Sequence, residues 1–185
     1  MDTGDMILKE EIPIGEDETT GEVWEKLSKI GAKLLVSTLK RIEEGTAPRE
    51  KQGKDYTMAP MLEKSMAKID WENKSGQELK NLVRGLNPIM GAYTYLRGKK
   101  IKFWKVDTIT KEEFLLIYDE FRDYDYKFSD IAPGTVLYVT EKHGLYVKTK
   151  DGVLSILQIQ GENSKKMSIQ DFLRGNKIEA TEMFE

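Results

Sequence analysis

The spacing of apolar residues changes along the chain, and each change marks an element. Met6, Leu8, Ile12 and Ile14 alternate imperfectly with charged residues before Gly15, which predicts a strand closing on a turn. No second strand signal follows until about residue 92, so the partners of that strand are expected outside this sequence. Thr19 and Glu22 stand at the spacing in which a threonine caps a first turn and a glutamate reaches back to the cap amide. Val23, Leu27, Ile30, Leu34, Leu35, Leu39 and Ile42 then recur at helical spacing up to Gly45. A long helix with one apolar stripe is predicted, its other face Lys and Glu. Residues 46–63 hold Pro48, Gly53 and Pro60 without a sustained period, which reads as an extended crossing between two packing units. Ser75 and Glu78 repeat the capping spacing. Leu79, Leu82, Val83 and Leu86 predict a short helix that stops before Asn87-Pro88, because a residue preceding proline is disfavoured in a helix.

From Ala92 the period falls to two. Tyr93 and Tyr95, a turn at Arg97-Gly98, and then Ile101, Phe103, Trp104 and Val106 predict a hairpin. Pro133-Gly134, His143-Gly144 and Asp151-Gly152 punctuate short apolar runs, so residues 135–160 read as a three-stranded meander. Between hairpin and meander, residues 111–131 intersperse Phe114, Tyr118, Phe121, Tyr124, Tyr126 and Phe128 with seven carboxylates and read as a partly ordered insertion against the sheet. A short helix over Ser168 to Arg174 completes the set. Five strands with short flanking helices suit an all-β open barrel resembling an OB-fold better than a sandwich.

Composition narrows the chemistry. With 39% hydrophobic and 33% charged residues over 185 positions, the chain is that of a folded soluble protein with a modest core. The absence of cysteine excludes a disulfide framework, a thiolate metal site and a cysteine nucleophile, and no metal is expected. No apolar run approaches the roughly 20 residues that cross a bilayer, and Met1 to Asp5 lacks the basic and apolar regions of a signal peptide. No membrane partner and a cytoplasmic location are therefore expected. The net charge of -3 conceals an asymmetry, since residues 64–110 carry ten basic and four acidic side chains whereas residues 1–63 carry nine and fourteen. Lys64, Lys68, Arg84, Lys99, Lys100, Lys102 and Lys105 all fall in the basic stretch. That stretch could face a polyanion or merely solvate a helix and an edge strand. Charge alone leaves both readings open.

A set of short motifs supplies a family. Asp2-Thr3-Gly4-Asp5-Met6, then Ile69-Asp70-Trp71 with Lys64 shortly before it, Arg84-Gly85-Leu86-Asn87-Pro88 followed by Gly91-Ala92-Tyr93, Ala132-Pro133-Gly134-Thr135, and Asp151-Gly152 followed by Leu154 occur in this order. In that order and at those separations they resemble the C-terminal part of bacterial methionyl-tRNA formyltransferases, with residues 111–131 the poorest match. The resemblance implies a two-domain enzyme of translation initiation that moves a formyl group from 10-formyltetrahydrofolate to the amino group of methionine on initiator tRNA. It implies that residues 1–45 are an α/β remnant, the last strand and helix of a Rossmann-like formyltransferase domain. Residues 46–68 would be the linker and residues 69–185 the OB-like barrel domain.

What the resemblance implies about sites divides in two. Related formyltransferases use an Asn, a His and an Asp, and only the Asp has a match here, Asp2. The attacking amine must lose a proton and the oxyanion needs donors, while the carboxylate supports the imidazole. Asp2 alone supplies neither donor, so it is expected to be idle, this chain alone to be inactive and to bind no folate, and Met1 to be an internal methionine of a longer protein. His143 is expected to serve its turn. The seven basic residues are implied to hold phosphates of the tRNA acceptor stem without reading its sequence. Trp71, Trp104, Tyr93 and Phe103 could stack on bases, but core packing is the expectation for them. A monomer is expected for the complete enzyme, with association through the exposed N-terminal strand a further route. Two rival readings are a stand-alone tRNA-binding module and a fragment of a sugar-nucleotide formyltransferase, the latter fitting residues 69–93 less well.

Overall fold

Side-chain caps set where the helices begin. In the computed structural model, which describes residues 4–53, 55, 57–117 and 128–185, the Thr19 hydroxyl accepts the Glu22 N–H while the Glu22 carboxylate accepts the Thr19 N–H, opening α1, Thr20–Glu43. The same reciprocal pair between Ser75 and Glu78 opens α2, Gly76–Gly85. Both helices start where the sequence placed them, because each cap satisfies amides that the first turn leaves without partners.

The chain forms two compact units, Met1–Leu62 and Glu63–Glu185. In the first, no residue of α1 is buried. Val23, Ile30 and Leu34 are half-buried, but Leu27, Leu35, Leu39 and Ile42 from the predicted stripe are exposed, as is Trp24. The strand expected over residues 6–14 does not form. Met6 makes a single antiparallel bridge to Glu50, with N–H to carbonyl distances of 2.7 and 2.9 Å, and no ladder continues from it. Lys9, Glu10 and Glu11 break the apolar alternation there, and Pro13 has no amide to donate.

The second unit carries the sheet. Its strands are β1 Ala92–Leu96, β2 Lys99–Ile109, β3 Val136–Thr140, β4 Gly144–Lys148, β5 Val153–Gln160 and β6 Met167–Ser168. All pair antiparallel in the order β1-β2-β5-β4-β3, with β6 added to β5. The predicted hairpin is β1–β2, and the predicted meander is β3–β4–β5. The sixth strand, β6, is two residues long and carries no period in the sequence. The sheet is open, so the barrel expected from the strand count is not closed by paired strands. Instead, residues 181–185 run between its two free edges. The Tyr95 and Glu185 backbones exchange both hydrogen bonds at 3.1 and 2.9 Å on the β1 side, and Val136 donates to the Glu182 carbonyl at 2.7 Å on the β3 side.

The core lies under this arrangement. Trp71, Phe103 and Phe184 pack with ring centroids 5.6–6.2 Å apart, joined by Leu79 and Val83 from α2 and Leu154, Ile156 and Ile159 from β5. The Trp71 Nε1–H donates to Thr94 Oγ1 at 3.0 Å, and that hydroxyl donates to the Glu185 carbonyl at 2.8 Å. The buried indole is thereby satisfied and tied to the joining segment. A satellite cluster of Phe114, Phe128, Leu137 and Val153 holds α3, Lys111–Ile117, against the sheet. Residues 118–127 of the acidic insertion, with Tyr118, Phe121, Tyr124 and Tyr126, lie outside the described residues. Helix α4, Ile169–Gly175, begins where Ser168 Oγ accepts the Asp171 N–H.

Candidate nucleic-acid interface

Alternation along β1 decides what the hairpin shows to solvent. Ala92, Thr94 and Leu96 are buried, and Tyr93 and Tyr95 between them are half-exposed on the other side. Antiparallel register sets Tyr93 opposite Lys102 and Tyr95 opposite Lys100. Residues opposite and diagonal on one face of a sheet are within reach of long side chains, and Lys100 reaches both its opposite, Tyr95, and its diagonal neighbour, Tyr93. The Lys100 Nζ lies 4.1 Å from the centroid of the Tyr93 ring and 5.8 Å from that of Tyr95. Lys68, whose backbone bridges to Tyr93, places its Nζ 5.9 Å from the Tyr95 ring.

A bulge extends this face. Pairing of β2 with β5 shifts register on either side of Lys105, leaving Trp104 without a cross-strand partner. Trp104 and Lys105 therefore both fall between the buried Phe103 and Val106, and both face outward. The indole is held at three points. Its Nε1–H donates to Gln160 Oε1 at 2.9 Å, its backbone carbonyl accepts from Asn87 Nδ2 at 2.8 Å, and its six-membered ring rests on Gly91, where a Cβ would come within 3.0 Å. The ammonium groups of Lys102 and Lys166 stand 5.7 and 5.1 Å from the indole. Lys166 reaches this place because β6, which begins at the next residue, pairs with the end of β5.

The result is one face carrying Lys68, Lys100, Lys102 and Lys166 around Tyr93, Tyr95 and Trp104. Three lysines elsewhere in the unit are neutralised: Lys74 by Glu78, Lys80 by Asp107 at 2.9 Å and Lys177 by Glu179. None of the four on this face forms an ion pair with a described carboxylate. Aromatic faces attract the ammoniums but bring no countercharge, so the positive field remains directed outward. That field can hold phosphates, and the rings can hold bases.

The sequence-predicted residues distribute unevenly over this geometry. Lys68, Lys100 and Lys102 are brought together, Lys105 extends the face through the bulge, and Lys64 is exposed at the start of the short 3-10 turn Lys64–Ala67 that leads to it. Lys99 is exposed opposite Leu96 but shares the parity of the inward Ile101 and lines a separate depression with Phe172 and Lys177. Arg84 lies on α2, with its Nε donating to Asn81 Oδ1 at 2.8 Å. Asp2 lies outside the described residues. The core expectation holds for Trp71 and Phe103, 4% and 0% exposed, holds in part for Tyr93, which is half-buried and packs against the core cluster, and fails for Trp104, which is half-buried outside it. The reason is parity for Tyr93 and the bulge for Trp104. His143 is exposed in the turn between β3 and β4, its amide donating to Thr140 Oγ1.

Two other features are distinct from this face. Lys148 is buried in the satellite cluster with its Nζ 4.6 Å from the Phe128 ring, and burial pushes its pKa below the ordinary lysine value. Among the described residues no group of three His, Asp or Glu side chains is placed to hold a metal, and no helix is long and apolar enough to cross a membrane.

Comparison with known proteins adds the following. Residues 61–177 match the family described as formyl transferase, C-terminal domain. The methionyl-tRNA formyltransferase of Clostridioides difficile (strain 630) is 41% identical over 180 residues, covering 97% of this chain and 52% of that protein. Those of Clostridium tetani and Carboxydothermus hydrogenoformans are 38% identical, over 97% and 100% of this chain and 52% and 54% of theirs. The chain thus spans about half the length of the curated relatives it matches. Among solved structures, HypX from Aquifex aeolicus in complex with tetrahydrofolic acid superposes with a TM-score of 0.62 at 18% identity, over 97% of this chain and 31% of that one. A multiply substituted HypX variant gives 0.63 at 19% identity, over 96% and 29%. At such identities the likeness is one of fold.

Proposed function

Since the chain belongs to the formyl transferase family through its C-terminal domain, we propose that it serves a methionyl-tRNA formyltransferase as the part that holds initiator methionyl-tRNA. In this reading the open sheet and the segment joining its edges act as one OB-like barrel, and the outward face of β1–β2 receives the phosphate backbone. The whole enzyme would transfer a formyl group, supplied by 10-formyltetrahydrofolate, to the methionyl amine. The described residues do not assemble an Asn-His-Asp set for that step: the single imidazole of the chain, His143, sits in a turn beside Tyr138. Residues 1–185 by themselves are therefore assigned RNA binding without transfer, and Asp2 a role only where the remaining partners are supplied.

The observation that carries the reading is the set of four lysines without carboxylate partners on one face. Each phosphate neutralised releases a condensed counterion, so affinity falls with salt by a power of about 0.9 for each contact on a duplex. Four contacts predict a loss of about a hundredfold between 50 and 200 mM salt, by the same relation. Filter binding of initiator tRNA to the 185-residue chain across that range tests it. Replacing Lys100 or Lys166 with alanine should lower the salt exponent by about one. Affinity that ignores salt, or no binding in dilute buffer, would sink the proposal.

A further inference from the structure

We infer that the lysine face also stacks unpaired nucleotides on Tyr93, Tyr95 and Trp104, so that it selects RNA with a single-stranded end over a blunt duplex. The inference rests on the reading that this unit binds RNA, and asks which part of an RNA the face takes. Phosphate contacts alone would need only lysines on a solvated strand. Instead, three aromatic rings stand half-exposed on adjacent strands, Tyr93 and Tyr95 on β1 and Trp104 on β2; aromatic residues suit a half-buried strand face, and here they also stand among the lysines. Tyr93 and Tyr95 lie with centroids 5.8 Å apart and nearly perpendicular, at 87°, so the pair presents both a ring face and a ring edge.

Trp104 is better prepared. Gln160, which fixes its Nε1–H, is itself held by donation from its Nε2 to the Ser164 carbonyl at 2.8 Å. With Gly91 beneath the ring and Asn87 on its carbonyl, the indole has little freedom left to lose, and an immobile platform binds at a smaller entropic cost than a mobile one. The ammoniums stand over the rings, Lys68 and Lys100 at the tyrosines and Lys102 and Lys166 at the indole, so an incoming base takes the place of an ammonium on the ring face. A base lying on a ring would thus carry its own phosphate to a lysine without a carboxylate partner. Rings that are half-buried in a sheet cannot enter the stack of an intact duplex. The ligand class is therefore unpaired nucleotides, for which stacking tolerates any base.

The test uses the full chain and two synthetic RNAs, a blunt duplex and the same duplex with an unpaired 3′ extension, each titrated at several salt concentrations. The extended RNA is expected to bind tighter by about 5- to 150-fold at every salt, the range that stacking of one base covers, and to quench tryptophan fluorescence. Trp104→Leu should abolish the quench and the preference while leaving the salt exponent unchanged. Tyr95→Leu, on the open side of the hairpin, should reduce the preference and serves if the tryptophan variant does not fold. Equal binding of both RNAs with an ordinary salt dependence would overturn the inference and leave the proposed function standing. A quench that persists in Trp104→Leu would overturn it as well, since it would then arise from another tryptophan. Failure of both RNAs to bind in dilute buffer would remove both readings.

Discussion

Replacing Phe184 with alanine tests how the sheet is completed. Its ring is 2% exposed and packs 6.0 Å from Trp71 and 5.6 Å from Phe103, centroid to centroid, while its N–H donates to the Gly134 carbonyl at 2.9 Å. The alanine variant keeps the backbone bond and deletes the ring, leaving a cavity between the two sheet edges. Phe→Ala in a close-packed core costs about 3–5 kcal/mol. For a unit of this size, with total stability on the order of 5–15 kcal/mol, that is about a fifth or more of the whole. Phe184→Leu, which refills most of the volume, should cost about 1–2 kcal/mol. Urea unfolding followed by tryptophan fluorescence measures both, because Trp71 lies against the deleted ring. A loss below about 1 kcal/mol for the alanine variant, at unchanged urea dependence, would refute the reasoning, since it would mean that residues 181–185 contribute no packing to the sheet in solution.

Three further outcomes follow from neighbouring contacts. Thr94→Val keeps the shape but strands the Trp71 indole N–H and withdraws a donor from the Glu185 carbonyl; a loss of about 1–3 kcal/mol is expected, and non-additivity with Phe184→Ala in a double-mutant cycle would show that they act as one network. Gly134→Ala is expected to lower the melting temperature more than Thr94→Val does, because φ is +92° and the new Cβ would lie 2.6 Å from the Phe184 carbonyl oxygen and 3.2 Å from Trp71 Cγ. Glu78 is held down to about 2 by its hydrogen bond from Lys74 and then by the Ser75 amide. A lowered folded value stabilises above the unfolded one, so the advantage of wild type over Glu78→Gln should be complete above the ordinary value of 4.5 and vanish as pH falls toward 2; helix content by circular dichroism follows it, and a difference independent of pH would count against the cap.

The elements that could be read from sequence were those signalled locally. Thr19 with Glu22 and Ser75 with Glu78 are contained within one turn, and the Arg97-Gly98 turn, where both residues adopt positive φ, lies between two runs of period two. A third reciprocal cap, Thr110 with Glu113, opens α3 and carried the same signal, but the surrounding carboxylates obscured it. What local pattern cannot show depends on pairing across the sequence. The charge-rich run after Met6 found only Glu50, and residues 181–185 have no strand period of their own, yet join edges that are formed by β1 and β3. Of the site, the basic stretch gave Lys68, Lys100 and Lys102 because β1 and β2 are adjacent in sequence. It could not give Lys166, which lies in a charge-balanced region and arrives through β6. Nor could it show that Trp104 faces outward, since a single extra residue in β2 reverses the parity on which the core assignment relied.

The double backbone bond between Tyr95 and Glu185 has a practical bearing on protein engineering. Any polypeptide appended after Glu185 would emerge alongside β1, next to the tyrosine that Lys68 and Lys100 flank. An acidic purification tag fused there would sit within reach of those ammoniums and act as a tethered competitor, at an effective concentration on the order of millimolar for a short flexible linker. Assays of ligand capture should accordingly carry their handles at the opposite terminus or cleave them away.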